Sequence, residues 1–188
     1  AIDARVLSSM KAERVAASAV LARPAVAPAA DRAQFFQDVH DALYAAKVCS
    51  YAQGFALIQA GSREWKWDID LREIARIWKA GCIIRAKFLD SIMRAYEECN
   101  DLPNLLLDDA FRTGIADAEP RWRRAVTFAQ SNGIAVPAFA SSLAYFDSYR
   151  TANLPQNLTQ AQRDYFGAHT YQRNDAGESA PFVHTDWS

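Results

Sequence analysis

From Asp31 to Gly61 the chain has no proline, and apolar side chains recur at three- and four-residue steps through Phe36, Val39, Leu43, Ala46 and Phe55. That spacing is the 3.6-residue period of one helix face. Asp31 offers a capping carboxylate at the start and Gly61 a stop at the end, so the stretch reads as one unusually long helix. Nowhere does the chain alternate apolar and polar residues with a period of two between hairpin turns. The fold class is therefore all-α: a multi-helix domain with one long central helix, a C-terminal extended tail and no sheet.

Other helices flank the long one. Ile2 to Leu21 reads as a single helix ended by "RPAVAPAAD", whose prolines remove donors and fix the backbone, which makes this the best internal linker. "DLREIARIWKAG" places Leu71, Ile74 and Trp78 on one side, and "CIIRAKFLDSIMRAYEE" does the same with Ile84, Phe88, Ile92 and Tyr96. Leu105 to Ala118, Arg121 to Ser131 and Ala138 to Ala152 continue the pattern, punctuated by Pro120, Gly133, Pro137 and Pro155. A short last helix covers roughly Leu158 to Phe166. Beyond Tyr171 the chain reads as an extended tail whose Phe182 and Trp187 must bury against something, a partner subunit being the candidate.

Composition excludes several classes. The 21 Lys+Arg and 22 Asp+Glu leave a formal charge of -1, so no overall field favours nucleic acid or an anionic membrane, and an anion site must be local. The uncharged stretch from Ala125 to Phe146 contains "QSNG", Pro137 and a serine pair, which argues against a membrane span. Cys49, Cys82 and Cys99 are odd in number and widely spaced, which points to a reducing compartment, the cytoplasm, rather than to disulfides or zinc. The N-terminus lacks both an apolar signal region and a starting methionine, and a helical pattern is under way at residue 2; the expectation is a chain that begins inside a larger protein.

Chemistry narrows further. The seven glycines are never closer than seven positions, so no GxGxxG or Walker loop exists, and a dinucleotide site made wholly within the chain is not expected. His40, His169 and His184 are too scattered to imply a metal, and His40 reads as a solvated helix residue. Ser8, Ser9, Ser141 and Ser142 read as packing or surface hydroxyls rather than nucleophiles. Arginines remain. Arg85 reads as a packing residue with a buried stem, and Arg5 as the partner of Asp3 or Glu13. In "QRDYFGAHTYQR", residues 162–173, Arg163 and His169 are six apart. On an unbroken helix that is about 600°, which points them to different sides. With Gly167 as a left-handed cap the chain turns, and both can meet one anion. A guanidinium fork with an imidazole beside it suits a phosphate.

The blocks "ARVLSSMKAERVAAS", "AAKVCSYAQGFALI", "IWKAGCIIRAKFL", "NLLLDDAF", "WRRAV", "LPQNLTQAQRDYFGAHTY" and "HTDW" together resemble, in order, the C-terminal half of decarboxylating 6-phosphogluconate dehydrogenases. The resemblance implies an NADP-dependent homodimer of the pentose phosphate pathway, with an N-terminal Rossmann domain, a large helical domain and a tail entering the other subunit. It implies oxidation of 6-phosphogluconate at C3 and loss of CO2 to give ribulose 5-phosphate. No metal is required, because the β-keto acid formed by hydride removal loses its carboxyl group readily. The family's lysine acid–base and its glutamate proton donor are expected upstream of Ala1. The "AR.LSS" arginine corresponds to Arg5, and those of "QRDYFGAH" to Arg163 and His169; the three hold the sugar phosphate, the last two reaching in from the partner. On this basis residues 1–154 are the helical domain and residues 155–188 the short helix and partner-reaching tail. Asp3 departs from the pattern, which has an aromatic or apolar residue there. The competing readings are an all-α dimerisation and lid module, inactive without the Rossmann half, and a related β-hydroxyacid dehydrogenase with another substrate.

Overall fold

Thirty-four consecutive residues, Arg32–Trp65, form one helix, α3, about 51 Å long at 1.5 Å per residue. The Asp31 side chain caps it by accepting from Gln34 N–H at 3.0 Å. Gly61 does not stop it. The helix runs four residues further, to a left-handed Lys66 (φ 54°) whose N–H returns to the Ser62 carbonyl. Gly61 instead makes room for two indoles packed at a tilt of 32°: carbons of Trp65 and Trp67 lie 3.1 to 3.4 Å from where its Cβ would be.

The computed structural model describes residues 2–79, 88–177 and 179–187, with the backbone alone at Asp3. In chain order the other elements are α1 (Ile2–Ser9), α2 (Lys11–Val20), α4 (Leu71–Lys79), α5 (Phe88–Glu98), a 3-10 turn (Leu105–Leu107), α6 (Asp109–Ser131), α7 (Pro137–Tyr149) and α8 (Asn157–Gly167). The fold is all-α, with no sheet among the described residues and one isolated bridge near the C-terminus. The expected residues Ile84 and Arg85 lie outside the described set. No described helix is long and apolar enough to cross a membrane. The chain forms two compact units, Ala1–Tyr145 and Phe146–Ser188.

In the first unit the core sits where α3 meets α6 and the α4–α5 pair. Phe55, fully buried, is flanked by Tyr96 and Trp78, each with ring centroids 5.5 Å away. Towards α6 the α3 face is built of small residues, Ala42, Ala45, Ala52 and Cys49, which lets the helices approach closely. Burial pushes the Cys49 thiol up to about 12, so it remains a thiol and packs as an apolar group. Two buried carboxylates stitch the same interface: Asp38 takes Arg124 Nε and Nη2 at 3.0 and 2.6 Å, and Asp41 takes Arg121 Nη1 at 2.8 Å.

Other boundaries depart from the sequence reading too, and the helix expected from Leu105 begins at Asp109, after the 3-10 turn. The first helix breaks at Met10 (ψ 49°), because Ser8 and Ser9 turn their hydroxyls back onto the Arg5 and Val6 carbonyls at 2.7 Å and compete with the helix ladder. Pro120, expected to separate two helices, lies inside α6. A proline there costs about 3 kcal/mol, but the buried stripe Phe111, Ile115, Ala118, Trp122, Ala125 and Ala129 runs through it without a phase change, and packing decides. The proline-rich linker is docked, with Ala27 N–H on Asn132 Oδ1 at 2.6 Å and the Pro24 ring 2.9 Å from where a Cβ would stand on Gly133 (φ +64°). Gly133→Ala combines left-handed strain with that collision, so a stability loss of about 2 kcal/mol is expected in chemical denaturation.

Candidate functional site

The block that carries Arg163 and His169 is the end of α8 and the turn after it. α8 closes on Ala168, which is left-handed (φ 49°) and returns its N–H to the Asp164 carbonyl at 2.8 Å. The left-handed cap is thus Ala168, one residue later than the sequence reading placed it. Thr170 is left-handed as well (φ 59°), so His169 stands between two reversals of the chain. Gly167 serves a different purpose: the His169 Cδ2 and Nε2 lie 3.0 Å from where its Cβ would be, so the imidazole rests on a bare Cα.

This turn brings Arg163 and His169 together. Both line one open pocket of about 350 Å³ with Thr159, Gln162, Phe166 and Gly167. Arg163 Nη1 is held by Gln160 Oε1 at 3.1 Å, while Gln160 Nε2 donates to the Thr170 carbonyl at 2.6 Å. One amide therefore ties the guanidinium to the turn that carries the imidazole. Neither Arg163 nor His169 is paired with a carboxylate among the described residues. The larger cavity nearby, about 560 Å³, differs: its arginine, Arg173, is neutralised by Asp175 at 2.9 and 2.6 Å.

The third predicted residue, Arg5, stands exposed on α1 in the first unit. Its expected ion pair with Glu13 is not formed; the Asp3 side chain lies outside the described residues. His40 is largely solvated, as read, with its Nδ1 2.8 Å from Asp41 Oδ1.

Asp164 was not singled out in the sequence, yet it is the one fully buried charged side chain among those described. Its Oδ1 accepts from Thr170 N–H at 2.9 Å and lies 3.0 Å from His184 Nδ1; its Oδ2 accepts from Thr185 N–H at 3.0 Å and Trp187 Nε1–H at 2.9 Å. The tail does not extend away from α8 but folds back onto it, with Tyr171 and Val183 exchanging both backbone hydrogen bonds at 2.9 Å. A signal was present: an acid inside a cationic and aromatic block, followed twenty residues later by "HTDW", which is rich in donors. Burial pushes the Asp164 carboxyl up, but hydrogen bonds from Thr185, His184, Trp187 and Thr170 outweigh it and hold it well below the usual carboxylate range. A depressed value means that this attachment is complete above the ordinary aspartate value of about 3.9 and fades as pH falls below it towards the native value. The Trp187 indole N–H resonance is expected to hold its position from about pH 8 to 5 and to move only below about pH 4.

The family of the 6-phosphogluconate dehydrogenase C-terminal domain matches residues 1–187. The decarboxylating 6-phosphogluconate dehydrogenase of Synechocystis sp. is 57% identical over 187 residues, which are 100% of this chain and 39% of that protein. That of Escherichia coli is 50% identical, over 99% of this chain and 39% of its own length. A solved structure of Plasmodium falciparum 6-phosphogluconate dehydrogenase, described in its apo form and in complex with its cofactor NADP+ and its substrate 6-phosphogluconate, superposes with a TM-score of 0.89 at 43% identity, covering 98% of this chain and 39% of that one. The chain thus spans about two fifths of the length of these relatives. Matched from end to end at such identities, it belongs to the 6-phosphogluconate dehydrogenase C-terminal domain family.

Proposed function

We propose that this chain is the substrate-phosphate and dimer-forming part of an NADP-dependent, cytoplasmic enzyme of the pentose phosphate pathway. That enzyme converts 6-phospho-D-gluconate to D-ribulose 5-phosphate and CO2. The observation that carries the reading is the pair Arg163 and His169 at one pocket, with no carboxylate among the described residues to neutralise either, in a chain of this family. A guanidinium and an imidazole so placed can grip a dianionic phosphate by charge-assisted hydrogen bonds. A non-reacting phosphate held this way fixes the reacting end of the sugar in register. Arg5 completes the phosphate site in this reading, with Arg163 and His169 contributed by the tail of the partner in a homodimer. Support for an exchanged tail comes from Phe166 on α8 and Phe182 in the tail, which are 81% and 70% exposed and offer apolar area that a second subunit would cover. None of the chain's residues is assigned to the coenzyme, since no glycine-rich phosphate loop occurs in it.

The test is turnover by the full-length protein: NADP and 6-phosphogluconate should yield reduced coenzyme and CO2 in equal amounts. Oxidation without CO2, or no turnover, would contradict the reading. Gly167→Ala offers a finer check. It should raise the substrate KM several-fold, because a Cβ there would stand 3.0 Å from His169 Cδ2 and Nε2 and displace the ring.

A further inference from the structure

We propose that Asp164 is a positioning residue for the phosphate site, setting the His169 imidazole beside Arg163 through the Thr170 amide; this rests on the phosphate-site reading above. Asp164 and Arg163 are neighbours on α8, about 100° apart, so that one faces solvent while the other is buried. The buried residue grips the turn twice. Its backbone carbonyl accepts from Ala168 N–H at 2.8 Å and its carboxylate from Thr170 N–H at 2.9 Å, so the residues on either side of His169 are bound to the same amino acid. Ala168 and Thr170 both adopt left-handed backbone conformations that an L side chain resists, and such conformations persist only where surrounding bonds impose them. The second Thr170 backbone group is held by Gln160, which also holds Arg163. Without the carboxylate, the turn relaxes and the imidazole leaves its place over Gly167.

The carboxylate form is required, not merely the shape. Thr185 N–H and Trp187 Nε1–H can only donate, whereas the His184 ring nitrogen can accept in its other tautomer. An amide at position 164 therefore turns its NH2 to the Oδ1 side, where it faces Thr170 N–H and breaks that bond while keeping the tail bonds.

The experiment is a double-mutant cycle on the full-length dimer, read as KM for 6-phosphogluconate against kcat and against KM for NADP. Asp164→Asn is expected to raise the substrate KM about tenfold with smaller changes in the other two constants. In a His169→Ala background the same change should raise KM by less than about twofold, because the group it positions is gone. Asp164→Ala, which deletes both carboxylate oxygens and leaves the backbone carbonyl bond to Ala168, is read in the same cycle and should show the same loss of effect in the His169→Ala background. Trp187→Phe removes a tail donor and leaves the Thr170 bond; its KM should stay within about twofold of wild type. An equal KM rise in both backgrounds, or a Trp187→Phe effect as large as that of Asp164→Asn, would overturn the positioning role and leave Asp164 as a tail anchor. A raised KM in His169→Ala with an unchanged KM in Asp164→Asn overturns this inference alone. An unchanged KM in His169→Ala overturns the phosphate-site reading and this inference with it.

Discussion

Arg163→Ala in the full-length protein is expected to raise the KM for 6-phosphogluconate about 10- to 150-fold and to leave the KM for NADP within about twofold. The size follows from one hydrogen-bonded charge pair, about 1.5–3 kcal/mol, at about 1.4 kcal/mol per factor of ten. The side chain is free to bind, since its only hydrogen bond to the described residues is with the neutral amide of Gln160. Structural damage should be slight, because Arg163 is exposed and pairs with no acid among the described residues. Arg163→Lys should recover only part of the affinity, since an ammonium cannot offer the two parallel N–H groups of a guanidinium. An Arg163→Ala enzyme with wild-type substrate affinity would remove this residue from the site.

Phe55→Ala should be among the most destabilising single changes in the first unit, costing about 3–5 kcal/mol and lowering the Tm of the full-length protein by roughly 5 °C. Phe55 is fully buried about two thirds of the way along α3 and lies against Trp78 of α4 and Tyr96 of α5, so its loss opens a cavity that three helices would have to close together. Differential scanning calorimetry of the full-length protein reads the effect. A shift of only a degree or two would mean that α3 is not the centre of this core.

Phe55 also marks what the sequence made legible. The start of α3 at the Asp31 cap, its unusual length to within four residues and the all-α class could be read because proline-free periodicity and capping chemistry are local properties. The buried face could be read only in part. Phe36 and Leu43 were expected alongside Phe55, but they are more than half exposed. Phe36 and Phe55 are nineteen residues apart, about 100° round an ideal helix, so they do not share a face. The buried face is made largely of small and polar residues, Ala42, Ala45, Ala46, Cys49 and Ala52 with Asp38, Asp41 and Gln59, a pattern that hydrophobic size underweights. Pro120 misled for the complementary reason: its local penalty was visible, and the packing of α6 that outweighs it was not.

At the candidate site, residue types were legible and their arrangement was not. A broken helix after Arg163 was foreseen, but a glycine in the sequence suggests positive φ, whereas here alanine and threonine adopt it and the glycine yields space to a ring. Those choices depend on the buried Asp164, whose four donors come from residues 170 to 187 and meet only in the folded tail. Long-range hydrogen bonding of this kind leaves no periodic trace.

The central claim is that cations from two polypeptides share one phosphate. Subunit complementation tests it directly, using hybrid dimers of full-length chains in which one protomer carries Arg5→Ala and the other carries Arg163→Ala with His169→Ala. If tails are exchanged, one site of the hybrid collects every lesion and the other collects none, so purified hybrids should regain about half of wild-type activity at low substrate concentration. If each site is built from a single chain, both sites are damaged, and hybrids no more active than the parent homodimers would contradict the account.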